Sequence, residues 1–424
     1  MKLNYRRTFF IGLAFMSISA FWQLYDSIIP LILKNTFNIG DTWAGAIMAV
    51  DNVLALFMLP LFGALSDRVD TRIGKRMPFI IGGTVAAVIA MVLLPVADNV
   101  VSLPLFVIVL LFTLVSMATY RSPAVALMPD VTPKPLRSQA NGIINLMGAL
   151  GAIFSLALIS ILVPHTGKPD YLPIFATVAG LMVVAVTVLF FTIREKNIAT
   201  EMEKYEEPEE KQDTKVAGAK MEPAVKRSFI FLLASIFFWF FSYNAVTTAF
   251  SKYAQDFLGI PGGGFANSLM LATVAAVVAF IPAGFLAAKI GRKKTILGGI
   301  TLLVVCFAIA AAFTAYTPFL NILLIFIGFG WASINVNSYP MVVEMAKGSD
   351  VGRFTGYYYT ASMSAQILTP VLSGFFLEFV GYRTLFPYSV FFMAIALLTM
   401  SQVKHGDSKA DTPTSKIEML DVDA

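Results

Sequence analysis

The sequence predicts an all-α integral membrane protein, twelve transmembrane helices in two pseudo-symmetric six-helix bundles, and three observations carry that expectation. The 424 residues are 57% hydrophobic and only 13% charged, far too apolar for a water-soluble domain. Apolar stretches of about 20 residues, the length that crosses hydrocarbon, occur twelve times along the chain. A dense cationic loop, GALSDRVDTRIGKRMPFI at residues 63–80, returns in degenerate form as GFLAAKIGRKK at residues 284–294.

Taken in order, the spans are expected near 8–33, 42–65, 78–97, 103–124, 138–163, 171–193, 228–250, 264–288, 295–315, 318–342, 354–379 and 383–402. The first follows Arg6 and Arg7 and superficially resembles a cleavable leader. Its apolar run continues through Trp22 to Leu33, too long for a signal core, so it reads as a span. Between residues 194 and 227 the chain turns polar (EKYEEPEEKQDTKVAGAK) and cannot bury a core. That stretch is expected to link an N-terminal bundle, 1–193, to a C-terminal bundle, 228–403, with a polar, disordered tail at 404–424.

Charge sets the orientation. Of the 31 Lys and Arg residues, 26 fall in the tails and one set of loops, and four (Lys34, Lys168, Lys252, Arg383) in the other set. The positive-inside rule then puts both termini in the cytoplasm. The short loops suggest a bacterial inner membrane. Cations confined to such loops argue against nucleic acid as the reason for the net charge of +5.

Enzyme chemistry lacks its residues. One cysteine, Cys306, and two histidines, His165 and His405, supply neither a disulfide nor a multi-histidine metal site. No phosphate-loop, H-E-x-x-H or G-x-S-x-G motif is present. No cofactor or metal is expected, and transport must draw on ion gradients.

Charges inside the spans are few, and each costs kilocalories unless it faces a partner or a water-filled cavity. Asp26, Asp51 and Arg121 are the three that lie well inside. On helix 1, Trp22, Asp26 and Pro30 share a face at a spacing of four, with Gln23 beside them, which reads as cavity lining. Arg121 is permanently charged, so it holds a carboxylate or donates forked hydrogen bonds to hydroxyls, and Asp26 or Asp51 is left to carry a coupling proton. Sodium is the other candidate ion. A structural ion pair with Arg121 that never titrates is the plainer reading of either acid. Binding a small hydroxylated molecule needs flat apolar faces and hydrogen-bonding groups, for which Trp22, Gln23, Tyr25, Arg121, Asn145, Tyr243, Asn244, Asn337 and Tyr358 are the candidates. Packing or interfacial anchoring is the commoner role of any one aromatic.

Two short matches suggest that the halves are repeats: Gly63 with Gly284, and Arg121, Ser122 and Arg137 with Asn337, Ser338 and Arg353. Helix 1 then pairs with helix 7 and sets Asp26 against Tyr243. Candidate gate residues sit in the cationic loops and at helix ends: Asp67, Arg68, Arg76, Asp130, Arg137, Glu344 and Arg353. Asp67 is an acid that topology does not require. Asp130 is expected to pair with Arg137, and Glu344 with Arg353.

A G-x-L-S-D-R then G-K-R loop after helix 2, with its copy after helix 8, resembles the major facilitator superfamily. The loop together with YRSPAVALMPD on helix 4 and the following RSQANG resembles, within it, the sucrose/proton symporter-like carriers and the glycoside-pentoside-hexuronide cation symporters, over roughly the first 150 residues. The resemblance implies the major facilitator fold and a conformational latch at Asp67 and Arg68, with the loop cations bonding across to the other half. It also implies a sugar-binding role for Arg121. One departure matters. Plant sucrose carriers have a helix 4 carboxylate upstream of that arginine, and residues 105–120 here contain none, so the coupling role is moved to Asp26.

The expected function is proton-coupled import of a disaccharide or other glycoside by a monomeric transporter in the bilayer. The alternatives are an exporter or antiporter of small amphipathic compounds and a transport-inactive membrane sensor or scaffold.

Overall fold

The computed structural model describes residues 3–133, 136–164, 166–198, 222–345 and 351–406. Among these, twelve helices are long and apolar enough to cross a membrane, and no strand occurs. They are α1 Tyr5–Asn35, α2 Asp41–Asp67, α3 Met77–Asn99, α4 Leu103–Asp130, α5 Arg137–Leu162, α6 Leu172–Thr192, α7 Pro223–Asp256, α8 Phe265–Ile290, α9 Arg292–Ala310, α10 Pro318–Val343, α11 Val351–Phe379 and α12 Leu385–Ser401.

Their ends follow local chemistry. The Asn4 side chain accepts from Arg7 N–H at the start of α1, and proline occupies the first turn of α3, α4, α6, α7 and α10, where its missing N–H is not needed. Four ends differ from expectation by five or six residues; two of them belong to α7, which runs from Pro223 to Asp256 rather than from about 228 to 250. α4 continues past residue 124 to Asp130 through Pro123 and Pro129, as transmembrane helices tolerate internal proline. α9 stops at Ala310 rather than near 315, in a turn where Ala312 N–H bonds Ile309 O and Phe313 N–H bonds Ala310 O. Most of the expected linker, and the expected tail beyond residue 406, lie outside the described residues.

The chain divides into two compact units. The first holds residues 1–39, 50–207 and 261–270, and the second residues 40–49, 208–260 and 271–424. In the first unit α1 packs on α4, α5 and α6, α3 on α4 and α6, and α5 on both α4 and α6. The second unit repeats every one of these pairings with the helix number raised by six. That correspondence is the physical content of the repeat suggested by the short sequence matches.

Close approach of helices depends on glycine. A Cβ on Gly151 of α5 would lie 1.9 Å from Met16 O on α1, and one on Gly148 would lie 2.9 Å from Ser19 Oγ. In α9 and α10, Gly299 and Gly330 face each other in the same way, a Cβ on either meeting the other's carbonyl oxygen at 2.7–3.0 Å. From the sequence, Gly142, Gly148, Gly151 and Gly356 are expected to permit close helix approach, at rocking contacts or in ordinary packing. Gly148 and Gly151 bring α5 close against α1 within one unit, and a Cβ on Gly356 meets nothing within 4 Å. Gly151→Leu is therefore expected to destabilise the first unit by more than the 1–3 kcal/mol typical of overpacking, because the obstacle is backbone. A thermal unfolding midpoint in detergent equal to wild type would refute this.

Candidate functional site

The three intramembrane charges come together in the first unit. Asp26 on α1 and Asp51 on α2 are both half-buried, and the two carboxylates lie close enough to act on each other electrostatically. The guanidinium of Arg121 on α4 acts on Asp51 and sits 5.8 Å above the Trp22 ring, within cation–π range. Asp51 Oδ1 also accepts from the backbone and side-chain amides of Asn52, at 2.6 and 2.7 Å. Fully ionised, the trio carries a net charge of −1, and one bound monovalent cation neutralises it.

Around the trio, Trp22 is half-buried and its Nε1–H has no hydrogen-bond partner. Gln23 donates to Ser27 Oγ at 3.1 Å. Tyr25 is 1% exposed, stacked on Phe21 and edge-on to Trp22, so in this conformation it supports the site from behind rather than lining it. Tyr120 is likewise sealed, its hydroxyl meeting Ser17 Oγ at 2.8 Å. Asn145 is half-buried on α5.

The recognition candidates of the second unit are aromatic and neutral polar groups. Tyr243 on α7 and Trp331 on α10 stack at 3.8 Å between centroids and 4° between planes, and both remain half-buried. The neighbouring Asn244 has a side-chain amide nitrogen without a partner. Asn337 and Tyr358 are 2% and 5% exposed. The Asn337 amide donates back to Ser333 O at 2.9 Å, and the Tyr358 hydroxyl lies 3.3 Å from Ser338 Oγ. Both are packing positions in this conformation, since an amide in a membrane helix is satisfied by its own backbone as readily as by a ligand.

The cationic loop folds around Arg76, which is 5% exposed. Its guanidinium donates to Asp130 Oδ2 at 2.9 Å, to Gly63 O at 3.2 Å, to Ser66 Oγ and to Asp67. Lys75 adds an ion pair to Asp130 at 3.2 Å. Sequence reasoning expected these cations to bond across to the other half. Arg76 and Lys75 join the ends of α2 and α4 inside the first unit through Asp67 and Asp130. Arg137 donates to Pro129 O and Thr132 O, Glu344 meets Arg292, Arg353 lies over Phe354, and Arg68 is exposed.

Two clusters were missed. Glu195, just beyond α6 and 1% exposed, accepts from the backbone N–H groups of Lys75, Arg76 and Met77, each at 2.9 Å. It caps α3 from 120 residues away. Gly74 makes room: its φ is +117°, and a Cβ there would lie 2.2 Å from Glu195 Oε2. Because three donors at a helix N-terminus lose their acceptor together, Glu195→Ala is expected to cost about 1–3 kcal/mol of stability. An unchanged thermal unfolding curve in detergent would show that the cap is dispensable.

The other missed cluster lies in the second unit, where Lys252 near the end of α7 and Asp41 at the start of α2 are 4% and 6% exposed and paired at 2.6 Å. Tyr382 donates to the second Asp41 oxygen at 2.8 Å, and Thr42 N–H donates to Glu378 at 2.8 Å.

A family model described as Major Facilitator Superfamily matches residues 11–281 and 264–419. Among solved structures, the nucleoside transporter NupG superposes with a TM-score of 0.69 at 15% identity, covering 94% of this chain and all of that one. FucP, a Major Facilitator Superfamily transporter in the outward conformation, gives 0.55 at 13% identity over 95% of this chain and 99% of its own. A curated relative, the MFS-type transporter ppzB of Metarhizium rileyi, is 32% identical over 133 residues, 31% of this chain and 27% of that one. The match thus spans about a quarter of that relative's length. Similarity at these identities reports the fold.

Proposed function

The chain belongs to the Major Facilitator Superfamily, a family of membrane transporters and not an enzyme class, and from that premise we propose that it imports a disaccharide or other glycoside together with protons by alternating access. The observation that supports this most is the Asp26–Asp51–Arg121 trio beside Trp22. Two acids against one permanent cation leave a single charge for a coupling ion to neutralise, and moving an uncompensated charge through the membrane costs several kilocalories. Binding a proton makes the loaded site neutral. Arg121 then offers its fork of donors to sugar hydroxyls, and the Trp22 face covers an apolar C–H surface.

Taken by itself, the second unit offers recognition groups that are neutral. The Tyr243–Trp331 stack presents flat apolar surface, and the Asn244 amide, like Trp22 Nε1–H, is a donor that a hydroxyl-rich ligand would satisfy. The Arg76 network holds the ends of α2 and α4 in one conformation, and its release or persistence sets the rate of switching. The bias of 26 cations to four between the two sides supports cytoplasmic termini; the same reading takes the membrane as a bacterial inner membrane, on the short loops, and the transporter as a monomer.

Counterflow of a labelled glycoside panel in proteoliposomes tests the substrate class without relying on any gradient. Exchange of at least one disaccharide or simple glycoside, competed by its unlabelled form, is the expected result. If no glycoside exchanges while an amphipathic cation or acid does, the glycoside reading fails.

A further inference from the structure

Two clefts open side by side near the far end of α6, separated by the same residues. One, of about 290 Å³, is lined by Arg72, Met77, Phe190, Arg194 and Lys196, among others. The second, of about 450 Å³, is lined by Arg6, Arg7 and Phe10. Phe191 and Ile193 line both, and Phe191 is 75% exposed. All of these residues belong to the first unit.

The first cleft has a charged rim and an apolar floor. Arg72 and Arg194 are exposed, and among the described residues no acid pairs with either. Lys196 is held by Asp70 at 2.9 Å. The one acid in the lining, Glu195, is buried and turned onto the α3 backbone, so it does not occupy the guanidinium groups. The cleft begins where the apolar helix α6 ends at Thr192, which is the depth at which a lipid's phosphate gives way to its acyl chains.

We infer that this cleft is a binding site for the headgroup of an anionic phospholipid, whose phosphate lies between Arg72 and Arg194 and whose acyl chain runs along Phe190 and Phe191. Guanidinium forks match phosphate oxygens, and an exposed phenylalanine at this depth is covered by lipid rather than by water. The ligand is a membrane component, so the site is distinct from the Asp26–Arg121 trio and independent of what the protein transports. It would couple the Gly74–Glu195 cap, and through it the Arg76 network, to the composition of the surrounding leaflet.

The test is native mass spectrometry of the full-length protein in detergent, titrated with phosphatidylglycerol or phosphatidylcholine, for wild type and Arg72→Gln/Arg194→Gln. With each surface cation worth about 1 kcal/mol toward an anionic lipid, the wild type is expected to retain phosphatidylglycerol roughly thirtyfold more readily, and the double variant to lose that preference. Should the double variant unfold, Arg72→Gln alone is expected to reduce the preference roughly fivefold. Equal retention of the two lipids by wild type, or an undiminished preference in the variant, overturns the proposal. So does a thermal shift by inorganic phosphate alone equal to that by phosphatidylglycerol, which would mark a free-phosphate site. A phosphatidylglycerol preference that appears only when acidic residues 201–210 are deleted would make that segment of the chain the occupant instead.

Discussion

Lys252→Met is expected to lower the stability of the second unit by about 3–5 kcal/mol, the usual consequence of leaving one member of a buried ion pair alone. Asp41 is 6% exposed and would keep only the Tyr382 hydroxyl, at 2.8 Å, as a strong donor. Its carboxylate would share the site with Glu378, which accepts from the adjacent Thr42 N–H, and with Asp256, which also bonds the Tyr382 hydroxyl. No new cation replaces the lost one. Asp41→Asn on its own strands the Lys252 ammonium and is expected to cost a similar amount. The double variant, Asp41→Asn with Lys252→Met, carries neither buried charge and retains an acceptor for Tyr382, so it is expected to recover most of the loss. Thermal unfolding of the four proteins in one detergent measures the coupling. Strictly additive single and double losses would show that the two residues act separately.

Arg121→Lys and Asp26→Asn are expected to fail in different ways, and the difference separates recognition from coupling. A lysine keeps the positive charge beside Asp51 but replaces a planar fork with a single ammonium. Losing one charge-assisted hydrogen bond to a hydroxyl is worth about 1.5–3 kcal/mol, so glycoside affinity should fall roughly tenfold to a hundredfold. Asp26→Asn keeps the shape and removes the charge that the coupling cation neutralises. Exchange of substrate down its own gradient should survive, and accumulation driven by a pH gradient should not. If Asp26→Asn accumulates substrate at the wild-type level, Asp26 is a structural acid, and Asp51 is the next to replace.

The parts of this protein that could be read from its sequence share a physical cause. Hydrocarbon tolerates so little polarity that twelve apolar spans announce themselves, and within them Asp26, Asp51 and Arg121 stand out for the same reason. The structure brings those three together. What could not be read depends on partners distant in the chain. Glu195 looks like the first acid of a polar linker, and only the fold puts it against Arg76 N–H, 119 residues away. Lys252 and Asp41 are 211 residues apart, and each by itself resembles an ordinary charge at a loop.

Facing was the other unreadable property. Tyr25, Asn337 and Tyr358 have the chemistry of a sugar site, yet they are buried in packing, whereas Trp22 and Tyr243 are half-buried. In helices that are apolar on every side, periodicity does not distinguish a cavity face from a packed one. The gate residues illustrate the same limit from the charged side. Asp130 was expected to meet Arg137, close in sequence, and its carboxylate is taken by Arg76 and Lys75, which the α2–α3 loop delivers from more than 50 residues away.

Proton movement accompanying transport is the most direct test of coupling through the Asp26–Asp51–Arg121 trio. Proteoliposomes in lightly buffered medium would be given a glycoside that exchanges in counterflow, and the external pH recorded. Wild type is expected to take up about one proton per glycoside, as the single uncompensated charge of the trio requires, and Asp26→Asn to take up none while still exchanging substrate. Glycoside entry with no change in external pH in the wild type, or an identical proton flux in Asp26→Asn, would contradict coupling at this site.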